Sequence, residues 1–331
     1  KWGGRPGITL SEHAVHVVAD GVVSPYMATW DIIGAGVTAG VIDARSYNTY
    51  TRQLFNPSTV TINNRQFLTA WWFAFEVPEG CVPRVLYRDL PKGDWHDIIC
   101  DPSPVDWEPC KIVKVDDEGL VYFGFNNDYR HIEAPADGPV EVSTGGNFSS
   151  GGGGEKEARW IEGKMWHVAN AGCRRTGGAK YRNSRMGRAS MWAAYDAYPA
   201  MGNDDTGHVG VCGDTNGVGY MVASWDGLVF NIWDGRKFVF PTGDLPVIDK
   251  QGWSGVVKYP IAIATCPTGG AFLLYSRHSA LVLVHIGPQG QITKCTTFPG
   301  TIGALCVDAA NVVHMAYNHA GSIWYRTWKP Y

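Results

Sequence analysis

Residues 308–328 read DAANVVHMAYNHAGSIWYRTW, and the order of residue types in this stretch decides the fold class. Asp308-Ala309-Ala310-Asn311 is a turn, because Asp and Asn bond their own backbone and tolerate positive φ. The apolar run at 312–317 is the strand that leaves the turn, and Trp324-Tyr325-Arg326 lies on a further strand.

The same order recurs along the chain. Turns stand at Asn63-Asn64, Asp117-Glu118-Gly119, Glu162-Gly163, Asp214-Thr215-Asn216-Gly217 and Pro267-Thr268-Gly269-Gly270. Apolar or aromatic runs follow at 67–72, 120–125, 165–169, 219–223 and 271–275. Such turns between apolar runs are hairpin signals. A Tyr-Arg pair returns on the next strand, at Leu86-Tyr87-Arg88, Tyr129-Arg130, Lys180-Tyr181-Arg182 and Tyr325-Arg326. Neighbouring residues on a strand face opposite ways, so Tyr is expected between sheets and Arg on the other side, a structural role.

The turns fall roughly 40 to 55 residues apart, the length of a four-stranded propeller blade. Six such units occupy residues 56–331, and the runs at 14–18 and 37–42 supply most of a seventh. The expectation is an all-β chain, residues 1–331 forming a single domain. Its architecture is a seven-bladed β-propeller of four-stranded antiparallel blades closed by both termini, with six blades as the alternative. Amphipathic helical periodicity of convincing length is absent, which disfavours α/β folds.

Composition narrows the function classes. With 45% hydrophobic and 18% charged residues the chain can bury a large core and is not disordered. It holds no apolar run of membrane-spanning length. A net charge of −3 argues against a general nucleic-acid binder. Fourteen Trp are scattered along the chain. Most are read as packing residues, the remainder as exposed platforms whose flat indole stacks on a sugar ring.

Eight Cys without a C-x-x-C leave zinc knuckles and thioredoxin-type sites unsupported. The spacings of Cys100/Cys110 and Cys295/Cys306 resemble small disulfide loops. Asn147-Phe148-Ser149 is a glycosylation sequon in a Gly/Ser-rich stretch. Lys1-Trp2-Gly3-Gly4 has no apolar targeting segment behind it, read as a signal peptide already removed. Together these point to a secreted glycoprotein, and a monomer is the expected state. The Gly-rich residues 145–154 lack the Gly-Lys-Ser/Thr and following helix of a phosphate loop and are read as a surface excursion.

If the turns join the first strand of each blade to the second, residues before first strands and after second strands converge on the opposite face, around the channel mouth. Concave mouths of this kind take ligands. The rule selects Arg52, Asn56 and His208 before first strands. After second strands it selects Trp71, Asn126, Asn170, Arg174, Arg175, Trp225, Arg277, His278, Asn318 and His319. Cations and donors outnumber carboxylates here, the latter chiefly Asp106, Glu108, Asp128, Asp204, Asp205 and Asp226. Residues 156–188 add nine Lys or Arg against Glu157 and Glu162, a local field that steers a polyanion. Arg grips carboxylates through a bidentate fork, so an acidic, uronic-acid-containing polysaccharide is the expected partner.

Cleavage of a uronide by β-elimination needs a cation on the carboxylate, a base for the α-proton and an acid for the leaving oxygen. His208, His278, Arg277 and Tyr275 are the catalytic candidates. Arg52, Asn56, Trp71, Asn126, Asn170, Arg174, Arg175, Trp225, Asn318 and His319 are the substrate-binding ones. A glycoside hydrolase needs two placed carboxylates, for which the face offers fewer candidates. No metal ligand set is read; a structural Ca²⁺ in the channel is the one cofactor left open.

The pattern at 308–328, and that at 112–125, resembles the sialidase-like or BNR-type propellers, a superfamily of sialidases, other glycosidases, polysaccharide lyases and lectins. Ser224-Trp225-Asp226-Gly227 is one residue short of that superfamily's S-x-D-x-G-x-x-W box, and Asp117-Glu118-Gly119-Leu120-Val121-Tyr122 matches its core. No Arg-Ile-Pro segment is present. In fold and residue type the chain is similar to rhamnosyl-glucuronate and ulvan-type lyases, with Asp106-Trp107-Glu108-Pro109 where the ulvan-type group carries Asp-His-Asn. The resemblance implies a secreted carbohydrate-active enzyme, a polysaccharide lyase first and a glycoside hydrolase second. A lectin or receptor-binding propeller is the non-catalytic alternative. Lectin propellers repeat one site per blade, whereas here Trp71, Asn126, Asn170, Trp225, Arg277 and Asn318 differ blade by blade.

Overall fold

The computed structural model describes residues 6–12, 14–19, 26–31, 37–41, 54–62, 64–73, 81–91, 93–98, 112–115, 120–125, 128–133, 141–143, 156–161, 164–171, 178–183, 187–190, 209–214, 216–225, 227–240, 245–250 and 261–330. Among these residues regular structure is strand alone, in seven antiparallel sheets. The first is β1 (Gly7–Leu10), β2 (Ala14–Ala19), β3 (Tyr26–Asp31) and β4 (Val37–Val41). The second is β5 (Leu54–Ile62), β6 (Arg65–Phe73), β7 (Cys81–Asp89) and β8 (His96–Ile98). The third is β9 (Ile112–Val115), β10 (Leu120–Phe125), β11 (Asp128–Glu133) and β12 (Glu141–Ser143). The fourth is β13 (Lys156–Ile161), β14 (Lys164–Ala171), β15 (Gly178–Asn183) and β16 (Gly187–Ser190). The fifth is β17 (Val209–Gly213), β18 (Gly219–Trp225), β19 (Gly227–Trp233) and β20 (Val247–Asp249). The sixth is β21 (Ile261–Thr265), β22 (Ala271–Arg277), β23 (Ala280–Ile286) and β24 (Ile292–Pro299). The seventh has three strands among the described residues, β25 (Ile302–Val307), β26 (Val313–His319) and β27 (Ser322–Trp328).

Within each sheet the strands pair in chain order, so every sheet is a meander. The turns read from sequence join first to second strands throughout. Three of them share one geometry. The amide of the first turn residue donates to the fifth residue's carbonyl, and the fourth residue's amide donates back to the first. These pairs are Asp214 N to Val218 O (2.9 Å) with Gly217 N to Asp214 O (3.2 Å), and Asp308 N to Val312 O with Asn311 N to Asp308 O (both 3.0 Å). The third is Cys266 N to Gly270 O with Gly269 N to Cys266 O, both 2.9 Å. The fourth residue carries positive φ in each, 79° at Gly217, 101° at Gly269 and 62° at Asn311, which explains Gly or Asn there. Asp308 and Asp214 also accept two backbone amides through Oδ1, while Cys266 takes the Asp position and bonds Thr268 and Asn311 instead.

The chain divides into two compact units, one of residues 1–148, 302–306 and 314–327, the other of 149–301, 307–313 and 328–331. In the second unit the core joins the fifth and sixth sheets: Tyr220, Val222, Leu228, Phe230 and Ile232 meet Ala271, Leu273, Tyr275, Val282, Val284 and Ile286. The members alternate along each strand. The residues between them, Met221, Phe272, Leu274, Leu281 and Leu283, are buried as well, so these strands are covered on both faces. That is why the sequence reads there as continuous apolar runs. In the first unit, Ile8, Val15 and Val17 of the first sheet pack with Ala304 and Ala316 of the seventh, flanked by Ile323 and Tyr325. The beginning and the end of the chain thus share one core.

The Tyr-Arg pairs fall on third strands, β7, β11, β15 and β27, as read from sequence. At Tyr325-Arg326 the sides are as expected: Tyr325 packs against the first-sheet cluster and Arg326 is exposed. At Tyr87-Arg88 both are structural. Tyr87 meets Phe67 and His96, whereas Arg88, only 5% exposed, is the residue that reaches the first sheet.

Candidate functional site

Second strands all end at the sheet edge opposite the first turns, so the selection rule can be followed residue by residue. Arg277 is the last residue of β22 and Trp225 the last of β18; His319 ends β26, with Asn318 before it. Asn170 lies one residue from the end of β14, and Trp71 lies in β6 opposite Phe55 and Pro83. Asn56 sits in β5 at a register shift between Phe55 and Ser58. Arg52, Asn126, Arg174, Arg175 and His208 lie outside the described residues, as do Asn147 and the Cys100/Cys110 pair.

One constellation is complete to its side chains. β22 and β23 join through a two-residue hairpin: Arg277 pairs with Ala280, and His278 takes φ of 56°. Tyr275 and Arg277, two apart on β22, point the same way, towards the fifth sheet. There Asp249 ends the outer strand β20 with its side chain 6% exposed. The Tyr275 hydroxyl donates to Asp249 Oδ2 at 3.1 Å, and Arg277 Nη1 lies 3.4 Å from the same oxygen. A carboxylate so deeply placed needs a cation and donors to offset its lost hydration. Arg277 supplies the charge while its own side chain stays 47% exposed, beside exposed His278. The arrangement is a cation anchored from below and offered to solvent next to an imidazole. Tyr275, 4% exposed, holds the anchor.

Asp249 was absent from the carboxylates singled out in the sequence. It closes the three-residue strand Val247-Ile248-Asp249, too short to mark by periodicity, and its partners lie 26 and 28 positions further on. Trp324 was missed too. It is 51% exposed and meets His319 edge-on, with ring centroids 6.0 Å apart and planes at 62°. Asn318, which precedes His319 in β26, is 8% exposed.

A second polar cluster joins the first two sheets. His16, 2% exposed, bonds Ser11 Oγ through Nε2 (2.9 Å) and meets Arg88 Nη2 through Nδ1 (3.3 Å). Arg88 Nε donates to Gln66 Oε1 at 2.8 Å, Gln66 Nε2 to Thr59 Oγ1 at 3.1 Å, and the guanidinium lies over Trp95. Burial, reinforced by Arg88, lowers the His16 pKa from 6.5 to about 4. A Ser-His pair that activates a nucleophile needs a carboxylate on the far nitrogen; here a cation stands there. The cluster is a structural seam.

The expected Cys295–Cys306 bridge does not form. Neither cysteine is in a disulfide, nor are Cys212 and Cys266. Cys295 lies on the outer strand β24, donating to Thr293 O at 3.6 Å, whereas Cys306 lies on β25 of the next sheet, against the first-sheet cluster. Close spacing in sequence thus crosses a sheet boundary. Among the described residues no group of three or more His, Cys, Asp or Glu is placed to hold a metal ion.

No protein-family model matches the chain, and no curated protein matches it. Solved structures do. Polysaccharide lyase Uly1 superposes with a TM-score of 0.60 at 10% identity, covering 98% of this chain and 89% of that one. The β-propeller domain of the Trilobed protease from Pyrococcus furiosus gives 0.50 at 9% identity, covering 99% and 94%. The chain spans about half (52%) of the length of the sialidase from Trypanosoma rangeli, covering 86% of itself at 12% identity and a TM-score of 0.49. The first two of these likenesses show the fold, a β-propeller, with a polysaccharide lyase among the structural neighbours.

Proposed function

We propose that this chain is a carbohydrate-active propeller, each of its seven sheets one blade, that cleaves a uronic-acid-containing polysaccharide by β-elimination. The observation that carries the reading is the half-exposed Arg277, held by buried Asp249 and adjoining exposed His278. Among the described residues the ion-pair partner of Arg277 is Asp249, and a guanidinium 47% exposed keeps donors for a ligand carboxylate. Neutralising that carboxylate acidifies the α C–H. His278 takes the proton, the C–H electrons form the C=C bond, and the C–O bond to the leaving sugar breaks. Its electrons stay on the leaving oxygen, which then takes up a proton. His208 and Tyr275 are the other acid-base candidates, and the residues selected at the second-strand ends are the substrate contacts. Secretion, read from the Asn147 sequon, and a monomeric state belong to the same proposal.

The test is ultraviolet absorbance of the conjugated, unsaturated uronide on incubation with polygalacturonate, alginate and ulvan. His278→Asn removes the imidazole while keeping a residue suited to positive φ. Arg277→Lys keeps the charge beside Asp249 but loses the fork. The expectation is a loss of about 100-fold or more in kcat for the first and a raised KM for the second, both folded. Full activity in both variants would remove this hairpin from the site. Reducing sugar released without the absorbance would make the enzyme a hydrolase.

A further inference from the structure

We infer that Trp324, with His319 and Arg326, is a second glycan-binding site: a stacking platform for one acidic sugar residue. The inference rests on the carbohydrate reading above and shares only His319 with the contacts selected there; Trp324 and Arg326 are outside them. Trp324 is 51% exposed, against 37–38% for the other exposed large apolar residues, all aliphatic. An indole left this open forfeits the burial that usually holds an aromatic in place. The strand that carries it is nonetheless held in place. Ala320 (φ 52°) and Gly321 (φ 79°) make the tight turn between β26 and β27, and the His319 ring stands edge-on against Trp324. On the opposite face of β27 the next residue, Tyr325, packs in the core shared with the first sheet, 2.6 Å from His314 Nδ1 through its hydroxyl. The backbone under the open indole is therefore held before any ligand arrives, and His319 already meets one edge of the ring.

Its chemistry matches a sugar ring. The face of an indole is electron-rich, and the axial C–H bonds of a pyranose are its weakly positive complement. Arg326 is exposed and lies two residues along the same strand, hence on the same face, about 7 Å away. That separation spans one pyranose, so a ring on Trp324 brings a C6 carboxylate towards the guanidinium. The class of ligand follows: a uronic-acid residue stacked on the indole, its carboxylate directed to Arg326. A neutral ring gains the stacking and loses the ion pair.

The experiment is isothermal titration of polygalacturonate, alginate and ulvan, with dextran as neutral control, into the wild type, Trp324→Ala, Trp324→Phe and Arg326→Gln. Trp324→Ala is expected to weaken binding of at least one acidic polymer roughly tenfold. Trp324→Phe should recover part of that loss. Arg326→Gln should weaken acidic polymers while leaving dextran unaffected. Unchanged affinity in Trp324→Ala overturns the platform, as does equal retention of dextran, or a wild type that binds none of the acidic polymers. The two readings fail separately. Turnover lost in His278→Asn with binding intact in Trp324→Ala retains the elimination site and sinks the platform; binding lost in Trp324→Ala without any turnover does the reverse.

Discussion

Asp249 is a carboxylate with 7% exposure, and its toleration depends on two neighbours in the next sheet. The Tyr275 hydroxyl and the Arg277 guanidinium converge on one oxygen. Removing the cation strands the charge, so Arg277→Ala is expected to lower stability as well as activity, by about 3 kcal/mol at most because Arg277 is half exposed. The double variant Arg277→Ala/Asp249→Asn should recover much of the stability and none of the turnover; thermal melts beside turnover check both halves. His16 makes the second case. Its ring is neutral in the fold down to about pH 4, while an unfolded chain protonates it below 6.5. Between those values the unfolded state binds more protons, so stability falls as pH falls through that window and is unaffected above it. The gap is worth about 3 kcal/mol. Urea midpoints of the wild type should therefore drop between pH 7 and pH 4 more than those of His16→Gln. Equal slopes would mean that His16 is solvated.

Hairpins are the unit in which this sequence is legible. Asp308, Asp214 and Cys266 open turns with one hydrogen-bonding plan, and a Gly or Asn three residues on takes the positive φ. Those residue types are visible without coordinates, as is the apolar strand that follows. Arg277 and His278 were legible for the same reason, standing where a second strand must end. What was not legible depends on contacts between elements. Cys295 and Cys306 look like a loop pair until a sheet boundary is drawn between them. Trp324 and Trp328, one residue type on one strand, differ only in neighbours: Trp328 meets Phe272 edge-on at 5.6 Å, and Trp324 is open. The fifth and sixth sheets meet also at Gly290 (φ 87°), where an added Cβ would come within 2.5 Å of the Phe240 ring, itself edge-on to Phe230. Gly290→Ala therefore meets backbone strain and overpacking together. A loss of about 2–4 kcal/mol in chemical denaturation is expected, and a loss below the error of the measurement would mean that this seam relaxes freely.

Across the molecule, every sheet is assembled from consecutive strands, and among the described residues none borrows a strand from elsewhere in the chain. At about 10% identity, what the chain shares with these structures is the fold and not the sequence. Ile8 and Val15 share a core with Ala304 and Ala316, so residues from opposite ends of the sequence pack together. The chain should accept circular permutation: a flexible linker from Tyr331 to Lys1, with new termini opened between Gly300 and Thr301, keeps all the hairpins. Opening instead between His278 and Ser279 cuts one in two. The first permutant is expected to melt within a few degrees of the parent and the second well below it, so that where the backbone begins is a freedom of this architecture, and where it turns is not.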